Sequence, residues 1–156
     1  MESIPTDRLL LRRVTRTEAQ ALLGGRPLAS TPCSDGYPTV DTPDAFRPFV
    51  ESDAEEGPWV VFRRADGRVI GDIGFDHEVE PGVVSGGYGF AQSAWGRGYA
   101  TEAVRALVAH TLARPGIRRI VADTETTNLA SSRVLEKAGF RFERESDGMR
   151  YYAIGG

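Results

Sequence analysis

Apolar residues alternate with polar ones along residues 7 to 14 (DRLLLRRV), where Leu9 and Leu11 share one face, and this period of two predicts a strand. Thr17 to Leu23 switches to helical spacing and predicts a short amphipathic helix, so the chain opens βα. From Gly24 to Thr42 the chain is rich in Gly, Pro, Ser and Thr and contains Asp35-Gly36-Tyr37-Pro38, which predicts a loop. Asp41 or Thr42 would cap a second helix running from near Pro43 to about Asp53, since Pro is tolerated in a first helical turn, and Gly57-Pro58 would end it.

Trp59 to Arg63 and Arg68 to Asp76 read as strands joined by the tight turn Asp66-Gly67. A second loop, Asp76 to Val83 with Pro81-Gly82 inside it, leads to a third strand, Val83 to Ala91, where Val84, Tyr88 and Phe90 fall on one face. From Gly98 an apolar stripe of Ala100, Ala103, Val104, Leu107, Val108, Thr111 and Leu112 predicts a helix closed by Pro115-Gly116. Arg119 to Thr124 is again β-rich, so strand, helix and strand form a βαβ unit whose strands should run parallel. Leu129 to Ala138 predicts a helix stopped by Gly139, and the strands Phe140 to Arg144 and Arg150 to Ile154 follow, turned at Asp147-Gly148. The expected order is β-α-α-β-β-β-α-β-α-β-β, an α+β fold on a central mixed, mostly antiparallel sheet with flanking helices. No repeat or linker divides residues 1–156, so one domain is expected.

Composition narrows the partners. At 40% hydrophobic and 26% charged residues the chain is ordinary globular protein, and a net charge of −3 supplies no broad basic field for nucleic acid. Its apolar runs are far shorter than the roughly 20 residues of a membrane-spanning helix. The opening MESIPTDRLLLRR lacks the apolar core of a signal peptide, and Cys33 is the single cysteine, so the reducing cytoplasm is the expected compartment. No cluster has metal-ligand spacing, and no metal is expected.

The segment Gly87-Tyr88-Gly89-Phe90-Ala91-Gln92-Ser93-Ala94-Trp95-Gly96-Arg97-Gly98-Tyr99-Ala100-Thr101-Glu102-Ala103 ends a strand and opens a helix. The first helical turn leaves backbone N–H groups unpaired and carries a partial positive charge, which suits phosphate oxygens. Gly96 and Gly98 let backbone approach closely, and Arg97 and Thr101 add side-chain donors. The plainer alternative is that both glycines only permit a sharp turn. A dinucleotide fingerprint fails for want of a third Gly, and a P-loop for want of Gly-Lys-Ser/Thr.

On these residues the chain resembles the GNAT superfamily of N-acetyltransferases, in the branch that includes the ribosomal-protein alanine N-terminal acetyltransferases. The likeness covers nearly the whole chain. It runs through Thr6-Asp7-Arg8-Leu9-Leu10-Leu11-Arg12, Ile70-Gly71, Trp95 to Ala103, and Asn128-Leu129-Ala130-Ser131-Ser132-Arg133-Val134-Leu135-Glu136-Lys137-Ala138-Gly139-Phe140. It implies transfer of an acetyl group from acetyl-CoA to a primary amine, on a small molecule or a protein N-terminus, directly in a ternary complex. It implies too that backbone amides across Gly96, Arg97, Gly98, Tyr99, Ala100 and Thr101 hold the CoA pyrophosphate, that the backbone of Phe90 and Ala91 pairs with pantetheine, and that the Asn128 side chain contacts pantetheine while also capping its helix. Many members carry Gln or Arg where Trp95 stands here.

Acyl transfer needs an acceptor for the amine proton, a donor for the thioester oxygen and an acid for the leaving thiolate. A strand amide near Phe90 or Ala91 would serve the oxygen. Many members place Tyr at the position of Leu135; here Ser131, one turn earlier on the helix, is the expected substitute, its other reading being a helix-terminal hydroxyl bonded to backbone. Relatives often carry Glu at the position of Ser85, which leaves Asp72 and Asp123 as candidate bases, or as paired or surface carboxylates. Arg133 would reach the CoA phosphates or stay in solvent. Cys33, His77 and His110 read as incidental. The acceptor would be lined by the Gly24 to Thr42 loop, including Tyr37, and by the Asp76 to Val83 loop. The competing class is a non-catalytic acyl-CoA-binding sensor or partner module, and a third is a nucleotide-binding protein using the same helix end. A monomer or a homodimer paired through a sheet edge fits either.

Overall fold

The computed structural model describes residues 2–28 and 31–156. Two compact units are distinguished, one of Met1–Gly74 with Tyr88–Tyr99 and one of Phe75–Gly87 with Ala100–Gly156.

In the first unit, β1 (Ser3–Pro5), β2 (Leu9–Arg13), β3 (Trp59–Arg63) and the leading half of β4 (Arg68–Glu80) pair antiparallel. Pairings such as Leu11 with Val61 and Val60 with Asp72 fix the register. Sequence reading missed β1: it is three residues long and contains Pro5, and proline is tolerated only where an edge strand needs no ladder N–H. Helix α1 (Arg16–Leu23) starts at a capping box in which the Thr15 hydroxyl accepts from the Glu18 N–H, and the Glu18 carboxylate accepts from the Thr15 N–H. Arg12 donates twice to that carboxylate, at 2.9 Å each. Helix α2 (Thr42–Val50) is capped by Asp41 without a side-chain bond, and the Thr42 hydroxyl serves elsewhere. The apolar faces of both helices close over Val60, Val69 and Ala91.

Strand β5 (Val83–Phe90), of which Val83–Gly87 lie in the second unit, runs parallel there to β6 (Arg119–Glu125), and α3 (Tyr99–Leu112), in that unit from Ala100 onward, is the crossover between them. The predicted stripe of α3 is buried at Ala103, Val104, Leu107, Val108 and Thr111. Helix α4 (Leu129–Lys137) follows, then β7 (Arg141–Ser146) and β8 (Met149–Gly155). Gly139, at φ +101°, ends α4 as predicted, with Phe140 N–H on Leu135 O and Gly139 N–H on Glu136 O, the paired bonds of a Schellman stop. The expected Asp76 to Val83 loop is corrected here. Strand β4 continues to Glu80, and only Pro81-Gly82 turns the chain into β5. Asp76 to Glu80 is exposed and, apart from Val79, polar, so it carries no alternation for sequence reading to detect.

Among the described residues, eight strands follow the order β1-β2-β3-β4-β5-β6-β8-β7, mixed and mostly antiparallel, which is the expected α+β architecture with β1 added. No helix among the described residues is long and apolar enough to cross a membrane.

Candidate functional site

Strand β5 reaches the opening of α3 through one 3-10 turn, Gln92–Ala94, and the stretch Trp95-Gly96-Arg97-Gly98. Gly96 and Gly98 stand at φ +77° and +80°, the left-handed region that side chains disfavour. They differ in surroundings. A β-carbon at Gly96 would meet nothing within 4 Å, whereas one at Gly98 would lie 3.3 Å from the Arg8 guanidinium. Trp95 to Gly98 are exposed, and Tyr99, Ala100 and Thr101 are half-buried at the first turn of α3.

Arg8 had no assigned role in the sequence. It lies just ahead of β2, yet it donates to the Arg97 carbonyl at 2.9 Å and stacks on the Tyr99 ring at 4.5 Å. Main-chain amides at a helix opening, two left-handed glycines and the cations Arg8 and Arg97 form the donor set that a pyrophosphate needs. No local pattern links Arg8 to a loop 89 residues away, so only pairing of distant strands brings it there.

The end of β5 is firmly held. Ala91 N–H donates to the Ile70 carbonyl at 2.9 Å, and the Phe90 carbonyl accepts the Trp95 indole N–H at 2.9 Å. The amide of Ala91 is therefore committed to β4, which removes it as the donor expected for a thioester oxygen. Backbone direction alternates along a strand, so the Phe90 N–H turns away from β4.

Two predicted residues from separate elements meet in the first unit. The Tyr37 hydroxyl donates to Asp72 Oδ2 at 2.9 Å, and the Thr42 hydroxyl donates to the same oxygen at 3.4 Å. Asp72 is 4% exposed and Tyr37 5%. Burial raises the Asp72 carboxyl to about 7, against the opposing pull of the two hydroxyls. Burial likewise pushes the Tyr37 phenol far above its ordinary range, aided by the Asp72 charge. Tyr37 is thus packed on Asp72 and lines no open loop surface.

In the second unit, Asn128 caps α4, its side-chain oxygen accepting from Ser131 N–H at 3.1 Å. Ser131 is half-buried and Arg133 exposed, while Ser132, not singled out from the sequence, is buried with Leu135 and its hydroxyl has no hydrogen-bond partner among the described residues. Asp123 is exposed on β6 opposite Tyr151. His77 is exposed on β4, and Cys33 is half-buried.

The family model described as an acetyltransferase (GNAT) domain matches residues 8–141. The chain belongs to the GNAT acetyltransferase family. The Bacillus subtilis (strain 168) protein YjdG, an uncharacterized N-acetyltransferase, is 28% identical over 142 residues, covering 88% of this chain and 83% of its own. A GNAT-family acetyltransferase from Bacillus anthracis superposes with a TM-score of 0.72 at 24% identity, over 99% of this chain and 98% of that one. RimL, a ribosomal L7/L12 α-N-protein acetyltransferase solved with coenzyme A, superposes with a TM-score of 0.69 at 22% identity, over 99% and 98%. At those identities the structures establish the fold alone. As a GNAT member the chain is an acyl-CoA-dependent N-acyltransferase, and the donor set at the opening of α3 suits the pyrophosphate of such a co-substrate.

Proposed function

We propose that residues 1–156 act as one N-acetyltransferase domain that passes an acetyl group from acetyl-CoA to a primary amine within a ternary complex. The observation that carries this reading is the Gly96-Arg97-Gly98 turn, left-handed at both glycines and braced by Arg8, at the opening of α3. In this reading the amides from Gly96 to Thr101 hold the pyrophosphate, and Arg8, Arg97 and Arg133 offset its charge.

Strand β5 pairs with β6 from Val83 with Arg119 to Ser85 with Val121, and β6 then continues to Glu125 against β8. Pantetheine would pair with the Phe90 backbone. The Phe90 N–H would meet the thioester oxygen as negative charge develops there. Ser131 would protonate the departing thiolate, and Asp72 is favoured over Asp123 as proton acceptor because it is buried and already near neutrality. No covalent enzyme intermediate enters the scheme.

The amine is a protein N-terminus or a small molecule. RimL and its like make the first reasonable, and nothing about the side chains around Tyr37 restricts the acceptor to it. The alternative of a non-catalytic acyl-CoA-binding module is favoured by Leu135, 1% exposed and a core side chain where a phenol is usual.

Isothermal titration with acetyl-CoA and with ATP, followed by thiol release across a panel of amines and peptides, tests the proposal. Acetyl-CoA binding with amine-dependent thiol release is expected. Binding with no release across the panel would favour the sensor module, and failure to bind acetyl-CoA would end the proposal.

A further inference from the structure

The carboxyl of Asp72 has a different neighbour on each oxygen. Oδ1 lies 3.7 Å from where a β-carbon of Gly89 would stand, on the strand that ends at Phe90. Oδ2 takes the hydroxyls of Tyr37 and Thr42. Beyond Thr42 the hydrogen bonds continue outward. Thr42 Oγ1 accepts the Thr39 N–H at 2.8 Å and lies 3.1 Å from Thr39 Oγ1, which in turn accepts the Asp41 N–H at 3.2 Å.

Valence fixes the direction of this chain while Asp72 is ionised. A hydroxyl has one proton and two lone pairs. Thr42 gives its proton to Asp72 and one lone pair to the Thr39 N–H, so the Thr39 hydroxyl must donate into the other. Burial falls away along the same line: Asp72 and Thr42 are buried, Thr39 is half-buried, and Val40 and Asp41 are exposed. Tyr37 is a second partner of the carboxyl but gives no outlet, being itself buried.

We propose that Thr42 and Thr39 form a two-hydroxyl proton path joining Asp72 to solvent, and that it discharges the proton which Asp72 takes from the acceptor amine. The catalytic half rests on the acetyltransferase reading; the path itself does not. The reaction must release one proton to solvent when the acceptor arrives as an ammonium ion. The ammonium gives that proton to the Asp72 carboxylate, and the freed nitrogen pair forms the C–N bond at the thioester carbon. The C–S bond breaks with its electron pair leaving on sulfur, and a second nitrogen proton ends on that sulfur as the thiol. Once Asp72 is protonated the chain turns over: Asp72 donates to the Thr42 oxygen, Thr42 swings its own proton to Thr39, an exchange the 3.1 Å contact allows in either sense, and Thr39 turns its proton to water, so that each oxygen hands one proton outward. The charged and titratable groups facing this cluster are Asp41, whose charge acts on Asp72, and Cys33, whose charge acts on Tyr37. A carboxyl held near neutrality suits this traffic, because it both takes and yields a proton at working pH.

The path is read without catalysis by following the Asp72 side-chain carbon by NMR in the isotopically labelled full chain across its titration. In the parent a single averaged line is expected, because the buried carboxyl exchanges its proton quickly with water. Thr42→Val and Thr39→Val should each split it into two lines, and Thr42→Ser should restore the average. One averaged line in both valine variants overturns the proposal, as does splitting caused by Tyr37→Phe in their place.

Turnover is then measured with acetyl-CoA and two acceptors, an alanine-initiated hexapeptide and putrescine. Asp72→Asn should lower kcat by about 100-fold or more and abolish the acid limb of the pH profile, while Thr42→Val lowers kcat by about tenfold at unchanged KM. Full rates in Asp72→Asn would overturn the catalytic half. If the parent acetylates neither acceptor, the catalytic half falls with the acetyl-transfer reading for these amines, and the line shapes still decide the path.

Discussion

The indole N–H of Trp95 donates to the carbonyl oxygen of Phe90 at 2.9 Å, tying the helix opening back to the end of β5. The side chain that replaces the more usual Gln or Arg thus acts on the strand end proposed to hold pantetheine, although Trp95 is 63% exposed. A net hydrogen bond is worth about 1 kcal/mol, or roughly fivefold in an equilibrium constant. Trp95→Phe should therefore weaken acetyl-CoA binding by about fivefold in calorimetry, with little change in Tm. Unchanged affinity would show that the indole donor does not organise the strand end.

Gly71 and Gly89 make a contrasting pair. A β-carbon at Gly71 would fall 2.6 Å from the Gly89 carbonyl oxygen and 2.7 Å from the Phe90 ring, whereas one at Gly89 would meet only Asp72 Oδ1, at 3.7 Å. Gly71→Ala should cost about 2–3 kcal/mol in urea denaturation, as overpacked sites do. Gly89→Ala should fold normally and slow acetyl transfer by screening the Asp72 carboxyl. Equal stability losses in both would contradict the close backbone approach at Gly71.

Asp72 makes stability depend on pH. An aspartate titrates near 4 in an unfolded chain and Asp72 at about 7 in the fold, so the folded protein holds the extra proton between those values. Its contribution is full below about pH 4 and is lost as pH rises through about 7. Relative to Asp72→Asn, the parent should lose on the order of 4 kcal/mol between pH 4 and pH 8 in denaturant melts. Glu18 runs the other way: the hydrogen bonds from Arg12 hold its carboxyl below the usual range, so its contribution is lost as pH falls through that lowered value. The comparison of parent with Asp72→Asn cancels Glu18, and a flat difference would refute the shifted carboxyl.

Arg8 donates to the Arg97 carbonyl and stacks on Tyr99, so its removal should loosen the turn proposed to hold pyrophosphate as well as subtract a positive charge. Hydrogen bonds to charged groups are worth about 1.5–3 kcal/mol. Arg8→Gln should weaken acetyl-CoA binding by at least about tenfold and flatten its dependence on salt. Calorimetry at two ionic strengths reads both effects, and a variant with parental affinity at each would remove Arg8 from the site.

Local chemistry was readable wherever a residue's role is settled by its neighbours in the chain. The stripe on α3, the glycine stop after α4 and the Asn128 cap all depend on contacts within a few residues, and each was visible as spacing or residue type. Strand β1 and the far half of β4 were not, because a short proline-bearing edge and a fully exposed strand lack an apolar face. The same limit explains why Asp72 and Tyr37 were each marked as candidates while their mutual bond, and the part of Thr42 in it, went unseen.

The sequence by itself determined the α+β order from the strand-and-helix opening onward, the parallel β5–β6 pair and the glycine turn at α3, since periodicity, turn chemistry and crossover handedness act locally. Only the tertiary structure decided which cation braces that turn, which strand amide is already engaged, and which carboxyl is buried among hydroxyls. Those are relations between residues 21, 35 or 89 positions apart, set by strand register and by the desolvation of Asp72, and neither quantity is defined until the chain has packed.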